Sequence, residues 1–163
     1  MSQRIFLGLG GNLGDRAVAI AAARRALAEQ GWQEVAVSRI YETPPWGKTD
    51  QPAFYNAVVE GRWGGSALEL LRLALRVEDQ LGRERLEKWG PRRIDIDILS
   101  FGEQVMHTQR LTLPHPYLRE RAFVLVPWAE IAAEFVVAPG AQTVEDMLNA
   151  LPAPERESVT VVG

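Results

Sequence analysis

The stretch Ile94-Asp95-Ile96-Asp97-Ile98-Leu99-Ser100-Phe101 decides the fold. In an extended chain successive side chains point to opposite faces, so Ile94, Ile96 and Ile98 share one face and Asp95 and Asp97 the other. The spacing predicts a strand over 94–101, the clearest in the chain, whose apolar face needs a covering layer. Gly102-Glu103 reads as a turn into a partner strand around 104–113. Upstream, Ser66 and Glu69 form a capping-box pattern that opens a helix. Leu68, Leu71 and Leu75 share a face of that helix, and Gly82 ends it. Residues 33–41 and 53–63 read as strands, separated by a loop carrying Pro44, Pro45, Gly47 and Pro52. An Ala-rich helix is expected over 15–30, closed by Gly31, and a first strand over 4–9. Short helices are expected near 128–133 and 143–150. The order βαββαβ plus a tail implies the α+β class, a mostly antiparallel sheet backed by helices.

The chain has 163 residues, 47% of them hydrophobic and 24% charged. That is enough for one ordinary core, and a single domain over residues 1–163 is expected. No apolar run approaches the ~20 residues that span a bilayer, so no membrane association is expected. The N-terminus lacks a signal-peptide pattern, and the cytoplasm is the expected compartment. Cysteine is absent, which excludes disulfide scaffolds, thiol nucleophiles, Fe–S clusters and Cys-type zinc sites. With only two histidines, His107 and His115, a three-histidine zinc site within the chain is excluded as well. A net charge of −3 argues against a nucleic-acid binder with a broad basic surface. Residues 83–93 nevertheless hold five basic and two acidic side chains. A local cluster of that size suits a small polyanion better than a duplex, and a solvated loop is the plainer alternative.

The Gly-rich run G-L-G-G-N-L-G at 8–14 invites a nucleotide-binding reading and fails its tests. A G-x-G-x-x-G count from Gly8 requires glycine where Leu13 stands, and no Gly-Lys-Ser/Thr is present. A tight strand-to-helix turn is the expected role of these glycines. Asp95 and Asp97 are more informative. Asp is depleted in strands, yet two sit side by side here, directly beyond the basic run. Mg²⁺ is typically held by one or two carboxylates, with water and substrate phosphates completing the shell. Asp-x-Asp beside an arginine cluster therefore matches a Mg–polyphosphate site, and two metals bridged by such a pair are feasible. An amphipathic edge strand with a solvated outer face also accounts for the alternation.

A second constellation is aromatic and amide. Thr43-Pro44-Pro45-Trp46-Gly47 is a stiff loop, Phe54 and Asn56 lie on one face of the next strand, and Phe123 lies in R-A-F-V-L-V-P. Core packing explains either Phe alone. An inward-facing Asn needs hydrogen-bond partners, and a flat heteroaromatic ligand between two rings would provide them. His115, in L-P-H-P-Y with Arg119 and Arg121 following, is a candidate phosphate donor.

The run K-W-G-P-R-R-I-D-I-D-I-L at 88–99 resembles the signature of the 6-hydroxymethyl-7,8-dihydropterin pyrophosphokinase family. The resemblance continues in G-x-G-x-N-L at 8–13, Y-x-T-P-P-x-G at 41–47, D-Q-P-x-F-x-N at 50–56, E-x-x-x-G-R at 78–83, R-L-T-x-P-H at 110–115 and R-x-F-x-L-x-P at 121–127, in the family's order. It implies a ferredoxin-like βαββαβ sandwich. It implies transfer of a diphosphate from ATP to the hydroxymethyl oxygen of 6-hydroxymethyl-7,8-dihydropterin, by attack at the β-phosphorus, with release of AMP.

By position, the resemblance makes Asp95 and Asp97 ligands of two Mg²⁺ ions. Arg83, Arg85, Arg92, His115 and Arg121 would contact the triphosphate, with Arg83, Arg85, Arg92 and Asp97 as catalytic residues. Asp97 is the candidate acceptor of the hydroxyl proton. Glu78, Ile98, Arg110 and Thr112 would surround the nucleoside, and Trp89 would cover the ATP site. Thr43, Pro45, Trp46, Phe54, Asn56 and Phe123 would build the pterin pocket. Two positions depart from other members. Phe54 replaces a Tyr, keeping the ring and losing a hydroxyl, and Pro116 replaces a Tyr, which puts any nucleotide contact of that ring in doubt. The run 82–91 and the loop 43–52 are expected to close as lids, with Mg–ATP binding before the pterin. A monomer is expected, with no nucleic-acid partner. Rival readings are a catalytically silent Mg–nucleotide sensor on the same fold and a metal-dependent phosphohydrolase.

Overall fold

The computed structural model describes residues 3–12, 14–44, 52–82 and 94–162. In chain order the elements are β1 (Ile5–Gly11), α1 (Arg16–Glu29), β2 (Gln33–Val37), β3 (Tyr41–Thr43), β4 (Phe54–Arg62), α2 (Ala67–Leu81) and β5 (Asp95–Phe101). The two short strands β6 (Met106–His107) and β7 (Thr112–Leu113) follow, then a 3₁₀ turn (Leu118–Glu120), α3 (Ala122–Ala132), α4 (Val144–Asn149), α5 (Ala153–Glu157) and β8 (Thr160–Val161). The main sheet is six-stranded, in the order β5-β1-β4-β3-β8, with β2 also on β4. All its neighbours are antiparallel. The expected α+β sandwich is therefore present, with β1 and β4 at the centre.

The sheet is covered unequally. Ile5, Leu7 and Leu9 alternate along β1 onto the face packed by α1 and α2, where Ile20, Leu27, Leu70, Leu73 and Val77 meet Ile94, Ile96 and Ile98. On the opposite face Phe6, Val58 and Leu99 pack against Leu125 and Trp128 of α3. Phe6 lies 5.2 Å from the Trp128 ring and 4.8 Å from that of Phe135. Between β1 and β5 the register shifts at Phe6/Leu7, so that Leu7 pairs with Ile98 but Phe6 with Ser100. This bulge adds a residue to β5 and returns Phe101 to the helix-side core.

Local signals set the helix starts. Asp15 caps α1 by accepting from the Val18 amide at 3.1 Å. Ser66 and Glu69 form the expected capping box, each side chain taking the other's amide at 3.1 and 3.0 Å.

Several expectations are corrected. Gly8 lies in the expected first strand, but Gly10 and Gly11 continue β1 rather than forming the turn, and of the glycines in this run only Gly14 has the positive φ (67°) of a turn. The strand expected over 33–41 is divided into β2 and β3. There the Ser38 hydroxyl accepts the Val58 amide at 2.9 Å while Ser38 donates its own amide to the Val58 carbonyl, so a side chain replaces one rung of the ladder. On α2 the buried face is Ala67, Leu70, Leu73, Ala74 and Val77, and Leu75 is 53% exposed. Strands β6 and β7 pair with each other rather than with β5. Helix α3 begins at Ala122 and runs through Pro127, because Leu125 and Trp128 are buried on either side of it. Strand β8 and helix α5 were not expected from the sequence.

The revised α2 face is testable. Leu70→Ala is expected to lower the unfolding free energy by about 2–5 kcal/mol, and Leu75→Ala by less than about 0.5 kcal/mol. Urea unfolding of the two variants checks this.

Candidate active site

Directly opposed residues of antiparallel strands share a face. Across β5, β1, β4 and β3 one row therefore reads Asp95, Gly10, Asn56, Tyr41, and the next reads Asp97, Gly8, Val58. Phe54 pairs with Thr43 at the same end of the sheet. Phe6 fills this face farther along β1, but Gly8 and Gly10 bring no side chains to it. The result is a cavity of about 420 Å³ floored by Gly8 and Gly10. Thr43, Phe54, Asn56, Asp95, Asp97, Arg121 and Phe123 line it, with Val58 and Val124 as apolar wall.

The floor is sterically tied to its neighbour. A Cβ on Gly10 would fall 2.4 Å from Asn56 Oδ1, so the missing side chain lets the Asn56 amide lie over the strand. Asn56 Nδ2 donates to Thr43 Oγ1 at 3.4 Å. The Tyr41 hydroxyl donates to the Glu130 carboxylate, which also takes the Arg39 amide at 3.2 Å. This ties β3 to α3, the helix that presents Phe123 in its first turn. Burial pushes the Tyr41 hydroxyl above its usual pKa, and the bond to Glu130 adds to the rise.

Arg121 caps the start of α3, with its guanidinium carbon 5.4 Å from the Tyr117 ring centre and 5.5 Å from that of Phe123. His115 accepts the Tyr117 amide at Nδ1, 3.2 Å away, which leaves Nε2–H as a donor. Burial holds the His115 imidazole below the ordinary histidine range, with Asp97 opposing the shift and Arg121 reinforcing it. His115 therefore feels the charges of both Asp97 and Arg121.

The family model for 7,8-dihydro-6-hydroxymethylpterin-pyrophosphokinase (HPPK) matches residues 6–133. The chain belongs to the HPPK family. Among its relatives, the 2-amino-4-hydroxy-6-hydroxymethyldihydropteridine pyrophosphokinase of Methylorubrum extorquens is 48% identical over 91% of this chain and 93% of that protein. The protein of the same name from Bacillus subtilis is 42% identical over 82% of this chain and 81% of its own. The crystal structure of wild-type Plasmodium falciparum HPPK-DHPS matches with a TM-score of 0.70 at 17% identity, over 91% of this chain. This chain spans only 44% of that protein, and the likeness bears on the fold alone.

Not every residue implied by the HPPK resemblance meets in the cavity. Glu78 lines a separate hollow of about 310 Å³ with Leu75, Asp79 and Gly82, and accepts the Ile96 amide at 2.7 Å. The Ile98 side chain is 3% exposed in the helix-side core, which leaves only its main chain for a nucleoside contact. Arg110 is exposed between β6 and β7, and Thr112 pairs with His107. Pro45, Trp46, Arg83, Arg85, Trp89 and Arg92 lie outside the described residues, as do both expected lids except for the ends at Thr43, Pro44, Pro52 and Gly82. Sequence reading missed Gly8 and Gly10 as cavity floor. The signal was there: Ile5, Leu7 and Leu9 alternate with Phe6, Gly8 and Gly10, the period of a strand.

Two outcomes follow for this chain. Gly10→Ala should fold with a stability loss of about 1–3 kcal/mol, since the Asn56 amide must move aside and the Tyr55 carbonyl oxygen, 3.3 Å from the added Cβ, must also give way, while the Asn56 side-chain amide resonance shifts in a ¹⁵N–¹H spectrum. An unmoved resonance would refute the contact. For His115, a lowered pKa means the folded protein binds the proton less tightly than the unfolded chain. Its stabilising contribution is complete above the ordinary value of about 6.5 and is lost as pH falls below it. Metal-free protein should lose stability between pH 7.5 and 5.5 more steeply than His115→Gln in urea unfolding.

Proposed function

We propose that the cavity holds the pterin between Phe54 and Phe123 and that Asp95 and Asp97 hold the metal of Mg–ATP at its polar end. The activity is that of the family: diphosphate transfer from ATP to the hydroxymethyl group of 6-hydroxymethyl-7,8-dihydropterin, a step of folate biosynthesis. The relatives are named as pyrophosphokinases, and neither the silent sensor nor the phosphohydrolase finds support in them.

One observation carries the assignment. The two carboxylates open into the same cavity as the two aromatic rings, the amide of Asn56 and the guanidinium of Arg121. A hydrolase would need the carboxylates without the aromatic clamp. The donor set suits Mg²⁺, which takes one or two carboxylates and completes its shell with water and phosphate oxygens. No cluster of three metal-binding side chains occurs among the described residues. When bound, Mg²⁺ neutralises charge on the phosphates. Two ions on Asp95 and Asp97 are the proposed complement.

In this reading Asn56 and Thr43 recognise the hydrogen-bonding edge of the pterin, and the hydroxymethyl oxygen faces the carboxylates. That oxygen attacks the β-phosphorus of ATP, the bond from the β-phosphorus to the α,β-bridging oxygen breaks, and AMP leaves. The hydroxyl proton passes to Asp97. Arg121 and the His115 Nε2–H stand ready to bind phosphate oxygens. Arg83, Arg85 and Arg92 are proposed as further triphosphate contacts, Trp89 as a cover, Pro45 and Trp46 as pterin contacts, and Glu78, Arg110, Thr112 and the Ile98 main chain as nucleoside contacts. A monomeric, single-domain, cytoplasmic enzyme is the proposed form, and no helix of the described residues is long and apolar enough to cross a membrane.

Asp95→Ala and Asp97→Ala should each lower AMP formation by roughly 10²–10⁴-fold, because phosphoryl-type transfer depends on positioning and charge neutralisation. Both should fold, since each side chain is only partly buried. The assay is purified protein with Mg–ATP, with and without the hydroxymethylpterin. Near-normal AMP formation by the folded double variant would end the assignment.

A further inference from the structure

Arg16 sits against the preference of its own helix. It is the first residue of α1, where the macrodipole disfavours a cation, and the carboxylate at that end, the N-cap Asp15, is engaged with the Val18 amide. Its partners lie elsewhere. The guanidinium carbon is 3.9 Å from the centre of the Tyr55 ring, and Nη1 donates to the Ala53 carbonyl at 2.6 Å. Both partners flank Phe54. Stacking on Tyr55 grips the chain on the face opposite the cavity. The bond to Ala53 acts more directly, because its carbonyl oxygen and the Phe54 nitrogen and Cα belong to one planar peptide unit. Holding that oxygen fixes the plane from which the Phe54 side chain departs into the cavity.

We propose that Arg16 is a positioning residue for the pterin, acting through Phe54 and touching neither substrate. The inference rests on the reading of the cavity as the pterin pocket. Arg is suited to the task because one planar group can stack and donate at the same time, whereas Lys can donate without stacking.

The test is calorimetric titration of the full chain with 6-hydroxymethylpterin in the presence of Mg²⁺ and a non-hydrolysable ATP analogue. Arg16→Gln is expected to weaken pterin binding by about tenfold, within the range spanned by loss of an aromatic stacking contact, with nucleotide affinity changed by less than about twofold. Arg16→Lys should fall between wild type and Arg16→Gln. In the Phe54→Ala background Arg16→Gln should add nothing, since both changes remove the same interaction. Additive losses, or equal loss of nucleotide and pterin affinity, would show a general structural role and overturn the proposal. If Phe54→Ala weakens pterin binding and Arg16→Gln does not, the inference fails while the pocket assignment stands. If Phe54→Ala has no effect, the pocket assignment fails and the inference with it.

Discussion

The register between β1 and β5 is the constraint on which the molecule depends. A strand has two faces and no third, so pairing Leu9 with Ile96 buries both against the helices and commits Gly8, Gly10, Asp95 and Asp97 to the other side. Carboxylates cannot be buried there without partners, and glycines cannot fill the space. The second face is consequently split. One end is packed solid by Phe6, Trp128 and Phe135, and the other remains open as the cavity. The core and the site are two readings of a single alternation.

The wall over that cavity is α3, and its placement is fixed from both ends of the sheet. Near the pocket, Glu130 takes the Tyr41 hydroxyl and the Arg39 amide. At the far end, Arg4 makes a bidentate pair with the buried Glu60, through Nε at 2.8 Å and Nη2 at 3.1 Å, and reaches Glu134 just beyond the helix at 3.1 Å. The solvent-exposed bond to Glu134 contributes little by itself. The Glu60 pair is the substantial one, because a buried carboxylate without its partner is costly. Together they set the distance between Phe123 and the strands opposite.

Much of this was legible in the residues, where the information is local. The Ile-Asp alternation of 94–98 and the Ser66/Glu69 capping box are complete within a few positions, and both were read correctly. What was missed depends on partners distant in sequence. Leu at 68, 70, 71, 73 and 75 offers α2 more than one apolar stripe, and only the packed sheet selects Leu70 and Leu73. The glycines of β1 read as a turn because glycine is depleted in strands. Their reason for being there, room for Asn56 and for a floor, lies on β4. Pro127 reads as a breaker, yet the burial of its neighbours carries α3 through it. Of the candidate site, the lining residues Thr43, Phe54, Asn56, Asp95, Asp97, Arg121 and Phe123 were named from sequence patterns. The support behind them, Tyr41 to Glu130 and Arg16 to Ala53, had no such pattern.

The bulge at Phe6/Leu7 carries a consequence for how mistakes in strand pairing are treated. A sheet with uniform alternation can slide by two residues and still present the same kinds of side chain to each face. Here Ile94, Ile96 and Ile98 point inward on one parity and Phe101 on the other, reconciled at a single place along the strand. A slide of β5 in either direction would strand the extra residue away from its gap and turn either Phe101 or an isoleucine out of the helix-side core. The address of the two carboxylates is thus guarded by a mismatch in the core, and a misaligned chain is penalised in its packing before it ever meets a substrate.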